Sequence, residues 1–380
     1  MKPHKFAGTL RAMKIFLYEY ASAQPADVDL PPSIRREGRA MLDAVVEDFA
    51  KLPGVEVLTM PSDHGDARTV FQTLAAQADG SLVIAPEFDD LLTTRCQWVE
   101  EAGGKLLGPS SSAIAFLSDK WNLYECLTAW GVPTPRTFLP PDTASGGRQP
   151  SGATQNTPSR GRQPSGAATA SGGCQAPGTP PHILKPRRGA GSVGVHRLHH
   201  SDPDAFPGPR LLQEFVAGLP ASCALLVSRN GQAFRFPAAR QFLGGDTGFR
   251  YEGGELPLAE PLDRRVARLL EPLIPRLTAL PGVKGYLGVD LILGEAADGS
   301  GDVVIEINPR LTTSYLGLRK LARCPLAEAM LAAAHGHTLP NLSWKPGRVR
   351  FDARGPVEHR PIGPPAAEDS TITERRCPRS

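Results

Sequence analysis

Apolar positions along the first hundred residues alternate between two periods. Residues 13–18, 55–58 and 81–85 are short apolar runs of strand type. Between the first two, Ile34, Met41, Leu42, Val45, Val46 and Phe49 recur at helical spacing within 33–52, and residues 69–78 and 91–102 carry further helical stretches. Strands alternating with helices predict a parallel sheet with helices on both faces. Residues 13–110 therefore read as one small α/β domain. Beyond it, Ser112 is a candidate cap for a helix running to Trp130, stopped by Gly131 and Pro133. Strands are predicted at 182–185, 211–215, 224–227 and 233–236, and a helix at 262–280. A hairpin is predicted from 286–293 and 303–307, turning around Asp298 and Gly299, and a last helix at 326–335.

Two stretches break this pattern. Between Pro141 and Pro180, 19 of 40 residues are Gly, Pro or Ser, and the heptapeptide starting at Gly147 recurs at Gly161. Such a segment cannot bury enough apolar surface to offset its ordering entropy, so 142–180 is expected to be a disordered insertion. The Pro- and charge-rich stretch 354–380 is expected to be a disordered tail. Lys and Arg number 42 against 39 Asp and Glu, a formal charge of +3. That balance argues against a nucleic-acid partner held by a basic face. The longest apolar runs fall far short of the roughly 18 residues a membrane helix needs. Ala21, Ser22 and Ala23 resemble a signal-peptide cleavage site, but Glu19 cuts the preceding apolar stretch short. A cytoplasmic protein without a membrane partner is expected, and homo-oligomerisation is left open. Cysteines 96, 126, 174, 223, 324 and 377 include no CxxC and no His-paired metal spacing, and read as reduced thiols.

Three clusters carry candidate chemistry. In the first, a strand delivers Lys185, Gly189, Gly191 and Gly194 punctuate a loop, and Val193 and Val195 resume a strand. Glycines let backbone N–H groups approach phosphate oxygens closely, and the lysine supplies positive charge. This is not a P-loop, because the lysine precedes the glycines and no helix follows directly. A Gly-rich β-turn without a ligand has the same appearance, so both possibilities stand. In the second cluster, Asp290 lies in an apolar strand, and Glu306 and Asn308 share one face of the next. A hairpin centred near Asp298 sets Asp290 roughly across from Glu306. Two carboxylates and an amide oxygen suit Mg²⁺, which usually takes one or two carboxylates plus nucleotide phosphates. The alternative is a solvated hairpin face, which would oppose like charges with no cation between them. The third cluster, Gln213, Glu214, Phe215 and Val216, reads by itself as a plain strand end.

Taken together and in this order, the clusters resemble the ATP-grasp carboxylate–amine ligase family, from about residue 13 to 335. The resemblance implies an α/β protein of ATP-grasp fold. Its N-terminal parallel α/β domain (13–110) would precede two α+β lobes enclosing ATP: a central lobe at 111–210 and a C-terminal lobe with the metal site at 211–345. It further implies that Lys120 and Lys185 contact the nucleotide and that Gly189, Gly191, Ser192 and Gly194 belong to the loop over the β- and γ-phosphates. Gln213, Glu214, Phe215 and Val216 would form the interlobe hinge that reads adenine. Asp290, Glu306 and Asn308 would hold Mg²⁺, with Mn²⁺ as an alternative ion, and Arg310 with Lys185 would stabilise the transferring phosphoryl group. Many members bind the ribose through a glutamate just after the hinge; residues 218–222 contain none.

Residues 13–22, 249–254 and 306–317 resemble, more narrowly, the branch of that family that joins L-glutamate to tyramine in methanofuran biosynthesis. That implies an acyl phosphate on the γ-carboxylate of glutamate, captured by an aromatic amine, tyramine or tyrosine. Arg319 or Arg250 is the expected clamp for the α-carboxylate, and Tyr18, Tyr20 and Tyr315 the expected wall for the amine's ring. Another ATP-grasp dipeptide or cofactor-tail ligase, or a nucleotide-binding module without turnover, would share the nucleotide residues.

Overall fold

The computed structural model describes residues 12–25, 28, 30–61, 66–140, 181–189, 193–198, 208–245, 249–355 and 357–360. The expected insertion at 142–180 lies outside the described residues, as do residues 361–380. The chain begins β1 (Met13–Glu19), α1 (Pro32–Ala50), β2 (Val55–Leu58), α2 (Ala67–Gln77), β3 (Gly80–Ile84), α3 (Leu91–Glu101). The three strands form a parallel sheet in the order β2-β1-β3. β1 is central and buried on both faces, which explains its unbroken apolar run. Ile15 and Leu17 meet Met41, Val45 and Phe49 of α1 on one face, and Phe16 and Tyr18 meet Phe71, Cys96 and Val99 on the other.

The helix expected at 112–130 is two helices, α4 (Ser111–Leu117) and α5 (Lys120–Ala129). Ser110, not Ser112, caps the first, its hydroxyl accepting from the Ala113 N–H at 3.2 Å. Asp119 starts the second, accepting from the N–H groups of Trp121 (3.0 Å) and Asn122 (3.2 Å). An aspartate that satisfies the first N–H groups of a new helix breaks the old one. A four-stranded antiparallel sheet follows, built from β4 (Thr137–Phe138), β5 (His182–Pro186), β6 (His196–Leu198) and β7 (Arg210–Glu214) in the order β4-β7-β5-β6. β6 starts at His196, so Val193 and Val195 belong to the loop rather than to a strand.

The rest of the chain builds the largest sheet. Its elements are β8 (Gly218–Val227), β9 (Ala233–Arg235), β10 (Ala239–Gly244), β11 (Arg250–Leu256), α6 (Glu260–Leu270), α7 (Leu273–Thr278), β12 (Gly285–Gly294), β13 (Val303–Asn308), α8 (Tyr315–Leu321), α9 (Leu326–His335), β14 (Arg348–Asp352) and β15 (Val357–Arg360). The strands run antiparallel in the order β13-β12-β8-β10-β11-β14-β15, with β9 on β8. Pro272 and Pro275 lack the N–H groups an unbroken helix needs, so the expected helix at 262–280 divides into α6 and α7. β15 corrects the expectation of disorder from residue 354. Alternate residues of β8 and β12 serve two cores. Ala224, Leu226 and Tyr286 face α8, α9 and α1, while Cys223, Leu225, Leu287 and Val289 face α4 to α7. β12 starts against the N-terminal domain: Gly285 has φ +78°, and a Cβ there would lie 2.3 Å from the Leu107 carbonyl oxygen. Among the described residues no helix is long and apolar enough to cross a membrane. Cys96, Cys126, Cys223 and Cys324 are free thiols.

Candidate active site

One pocket lies where the two antiparallel sheets face each other. Its lining includes Lys120, Lys185, Gly189, Gln213, Glu214, Phe215, Val216, Asp290, Glu306, Asn308 and Arg310. Gly194 is outside the lining; it turns the loop at φ +72°, where a Cβ would lie 3.0 Å from Pro186 Cγ. Gly191 and Ser192 lie outside the described residues.

Lys120, the first residue of α5, ties three parts together. Its backbone N–H donates to the Arg187 carbonyl at 3.1 Å, its Nζ donates to the Gly189 carbonyl at 2.9 Å, and the same Nζ lies 3.3 Å from Glu306 Oε2. Asp119 secures the base of the loop, accepting from Arg187 Nε at 2.8 and 2.9 Å. Lys185 is deeper, and its Nζ donates to Gln213 Oε1 at 2.8 Å; Gln213 in turn donates to Thr137 Oγ1 at 3.0 Å. Burial pushes the Lys185 ammonium down to about 8, against the attraction of Glu306.

The hairpin of β12 and β13 sets Asp290 directly opposite Glu306 and Gly288 opposite Asn308. Past Asp290 the register shifts: Leu291 pairs with Val304, leaving Ile305 as the extra residue of a β-bulge. Such a bulge twists the strand and re-aims neighbouring side chains. Asp290 accepts from Gln241 Nε2 and from Asn308 Nδ2, each at 2.9 Å. Burial and the facing Glu306 charge raise the Asp290 carboxyl. Burial works on Glu306 too, but the Lys120 and Lys185 charges outweigh it and hold Glu306 low. The site is thus short of positive charge at Asp290, and two opposed carboxylates beside an amide fit Mg²⁺, which completes its shell with water and phosphate oxygens. Among the described residues, no three His, Cys, Asp or Glu side chains converge; the oxygen donors are these two acids and Asn308.

Arg310 follows β13 and is gripped by Glu87, just beyond β3. Its Nε and Nη2 donate to the two Glu87 oxygens at 2.8 and 3.2 Å. Nothing in the sequence marked Glu87, Gln241 or Glu37, which line or brace the site from remote elements. Thr312, Thr313, Ser314, Phe249 and Tyr251 also line it; they lie in the stretches that carried the narrower resemblance.

Three substrate-side expectations are corrected. Arg319 is turned away from the pocket and bound by Asp48 and Glu47 of α1. Arg250 pairs with Glu252 at 2.9 Å on an exposed face and does not line the pocket. Tyr315 is fully buried with its hydroxyl donating to Asp48 at 2.7 Å, and Tyr18 is buried under Phe71 with its hydroxyl accepting from Arg95; neither they nor Tyr20 line the pocket.

Residues 117–314 match the family model of the ATP-grasp domain, and residues 40–114 that of the pre ATP-grasp 3 domain. The chain belongs to the ATP-grasp family. Tyramine–L-glutamate ligases of Methanocaldococcus fervens and Methanocaldococcus jannaschii are each 25% identical to this ATP-grasp chain over 345 residues, covering 86% of it and 95% and 90% of themselves. An ATP-grasp superfamily protein from Archaeoglobus fulgidus shares the fold with a TM-score of 0.61 at 25% identity, over 89% of this chain and 92% of its own. The protein is an ATP-binding ligase of the ATP-grasp family.

Proposed function

We propose that this ATP-grasp ligase joins the γ-carboxylate of L-glutamate to the amino group of tyramine, or of its close relative tyrosine, with ATP cleaved to ADP and phosphate. The supporting observation is a single pocket lined by Lys120, Lys185 and Arg310, by the opposed acids Asp290 and Glu306, and by the aromatic side chains Phe249 and Tyr251. The similarity to tyramine–L-glutamate ligases supports the substrate pair, and with it a place in methanofuran-type cofactor synthesis in the cytoplasm. ATP lies between a lobe at 111–210 and a lobe at 211–345, with adenine at Gln213–Val216 and phosphates under the loop around Gly189.

The γ-carboxylate attacks the γ-phosphorus of ATP, and ADP leaves. Lys185, anchored by Gln213, and Lys120, anchored by the Gly189 carbonyl, hold phosphate oxygens. Arg310, oriented by Glu87, faces the charge that builds on the transferring group. Asp290, Glu306 and Asn308 would hold Mg²⁺, which when bound neutralises charge on the β- and γ-phosphates. The amine nitrogen then attacks the acyl carbon and phosphate leaves. Mass spectrometry after incubation with ATP, Mg²⁺, glutamate and a panel of amines tests this. γ-Glutamyltyramine or γ-glutamyltyrosine with ADP is expected. ADP release driven only by a different acid or amine would overturn the substrate pair.

A further inference from the structure

Glu37 reaches the same pocket from the N-terminal domain, on the second turn of α1. The reaction as described so far gives it no role. Its Oε1 accepts from the Thr313 hydroxyl, and among the described residues it has no ion-pair partner. Arg310 acts on it only through space, because the guanidinium is already gripped by Glu87. A second acid adds to the negative charge: Glu19, at the end of β1, accepts from the N–H groups of Ala21 (3.0 Å) and Ser22 (2.7 Å) and feels the charge of Glu37. Gly38, next to Glu37, makes room for it, since a Cβ there would lie 2.4 Å from the Glu19 carboxylate. Burial pushes the Glu37 carboxyl above the ordinary range, against the Thr313 hydrogen bond and the Arg310 charge. Tyr251 lines the same pocket and feels the charge of Glu37; with Leu243 and Phe249 it presents an apolar, aromatic lining.

A carboxylate lacking a cation, beside an aromatic wall and near the phosphoryl-stabilising arginine, has the chemistry of an arylalkylammonium site. Resting on the function proposed above, we propose that Glu37 binds the ammonium group of the amine substrate and takes its proton as the nitrogen attacks the acyl phosphate. The ammonium gives one proton to the Glu37 carboxylate. The freed lone pair forms the C–N bond, and the C–O bond of the acyl phosphate breaks. Phosphate leaves with that electron pair and accepts the second proton shed by nitrogen. Glu37 returns its proton to solvent when the product departs.

Hydroxylamine separates this role from others, because it is uncharged at neutral pH and captures acyl phosphates without a base. The test compares wild type, Glu37→Gln and Glu37→Asp. Tyramine-dependent ADP release should fall at least ~100-fold in Glu37→Gln, within the usual range for general-base loss. Glutamyl hydroxamate formation in the same variant should stay within about threefold of wild type, with the KM for glutamate unchanged. Glu37→Asp, which keeps the charge one methylene back, should recover part of the tyramine rate. Equal loss of both reactions, or a raised KM for glutamate, would overturn the proposal and give Glu37 to the acid substrate. Full activity in both would remove it from the amine site. If wild type forms no glutamyl hydroxamate at all, the proposed acid substrate fails first, and this assignment fails with it.

Discussion

Replacing Glu87 with glutamine is predicted to loosen the protein and slow it at once. The Glu87 side chain is 3% exposed and that of Arg310 12%, and they meet through two hydrogen bonds. At the 2.8 Å separation and an effective dielectric of about 20, their attraction is about 6 kcal/mol before desolvation is counted. Desolvation offsets part of that, and removing one member of a buried pair costs about 3–5 kcal/mol. Glutamine keeps the volume and one acceptor, so a loss of about 2–4 kcal/mol is expected. For a cooperative unit of about 150–250 residues that lowers Tm by roughly 5–15 °C. Arg310 loses an anchor that joins the N-terminal domain to the segment after β13, so turnover should fall by about 10–100-fold. Thermal unfolding by circular dichroism and ADP release with saturating substrates measure the two effects. Glu47→Gln is the control, because that acid is half exposed and its ion pairs are screened. A Tm within about 2 °C of wild type and unchanged turnover would refute the claim that Glu87 holds Arg310.

Three further outcomes follow from the site. Glu306→Gln keeps strand packing but removes the charge proposed to hold Mg²⁺, so nucleotide binding should persist while turnover falls at least ~100-fold; near-normal turnover would remove Glu306 from the proposed metal site. Lys185 is charged at pH 7 and loses its proton through about pH 8, so ATP affinity measured by titration calorimetry should weaken as pH rises past that value. Lys185→Ala should bind ATP weakly at pH 7 and lack that slope. Between about 8 and the ordinary 10.5 the unfolded chain binds more protons at this lysine than the folded one, so its contribution to stability rises with pH over that window. Deleting residues 144–178 should preserve cooperative unfolding and most activity: Phe138 and His182 on either side lie with ring centroids 6.0 Å apart, so a short linker closes the gap. Loss of cooperative unfolding in the deletion would show that the segment packs.

Local pattern determined much of this protein. Short apolar runs located β1 and β3, the alternation of Val55, Glu56 and Val57 located β2, and helical spacing located α1 and α9, because burial of one face or both leaves its trace in the pattern. The turn around Asp298 and Gly299 located the hairpin and brought Asp290 near Glu306, and the bulge at Ile305 then made the two direct partners. Misplaced boundaries came from local chemistry overlooked within apolar stretches, such as the cap at Asp119 and the prolines at 272 and 275.

The fold itself decided what lies across the pocket. β11 has little strand propensity; it pairs because Gly253 and Gly254 let β14 and β10 come close, and a Cβ at Gly253 would lie 2.2 Å from the Phe351 carbonyl oxygen. Tyr315 and Arg319 follow β13 in sequence, yet as i and i+4 of α8 they share the face turned to Asp48 of α1, while Ser314 just before them lines the pocket. Glu87 reaches Arg310 across 223 positions and Glu37 reaches Thr313 across 276. No periodicity or spacing encodes such a meeting, because it depends on where the N-terminal sheet docks against β12 and α8. Lys185, Asp290, Glu306, Asn308 and Arg310 in the pocket lining therefore stood in short motifs, whereas the lining from remote elements exists only once three separate sheets are packed together.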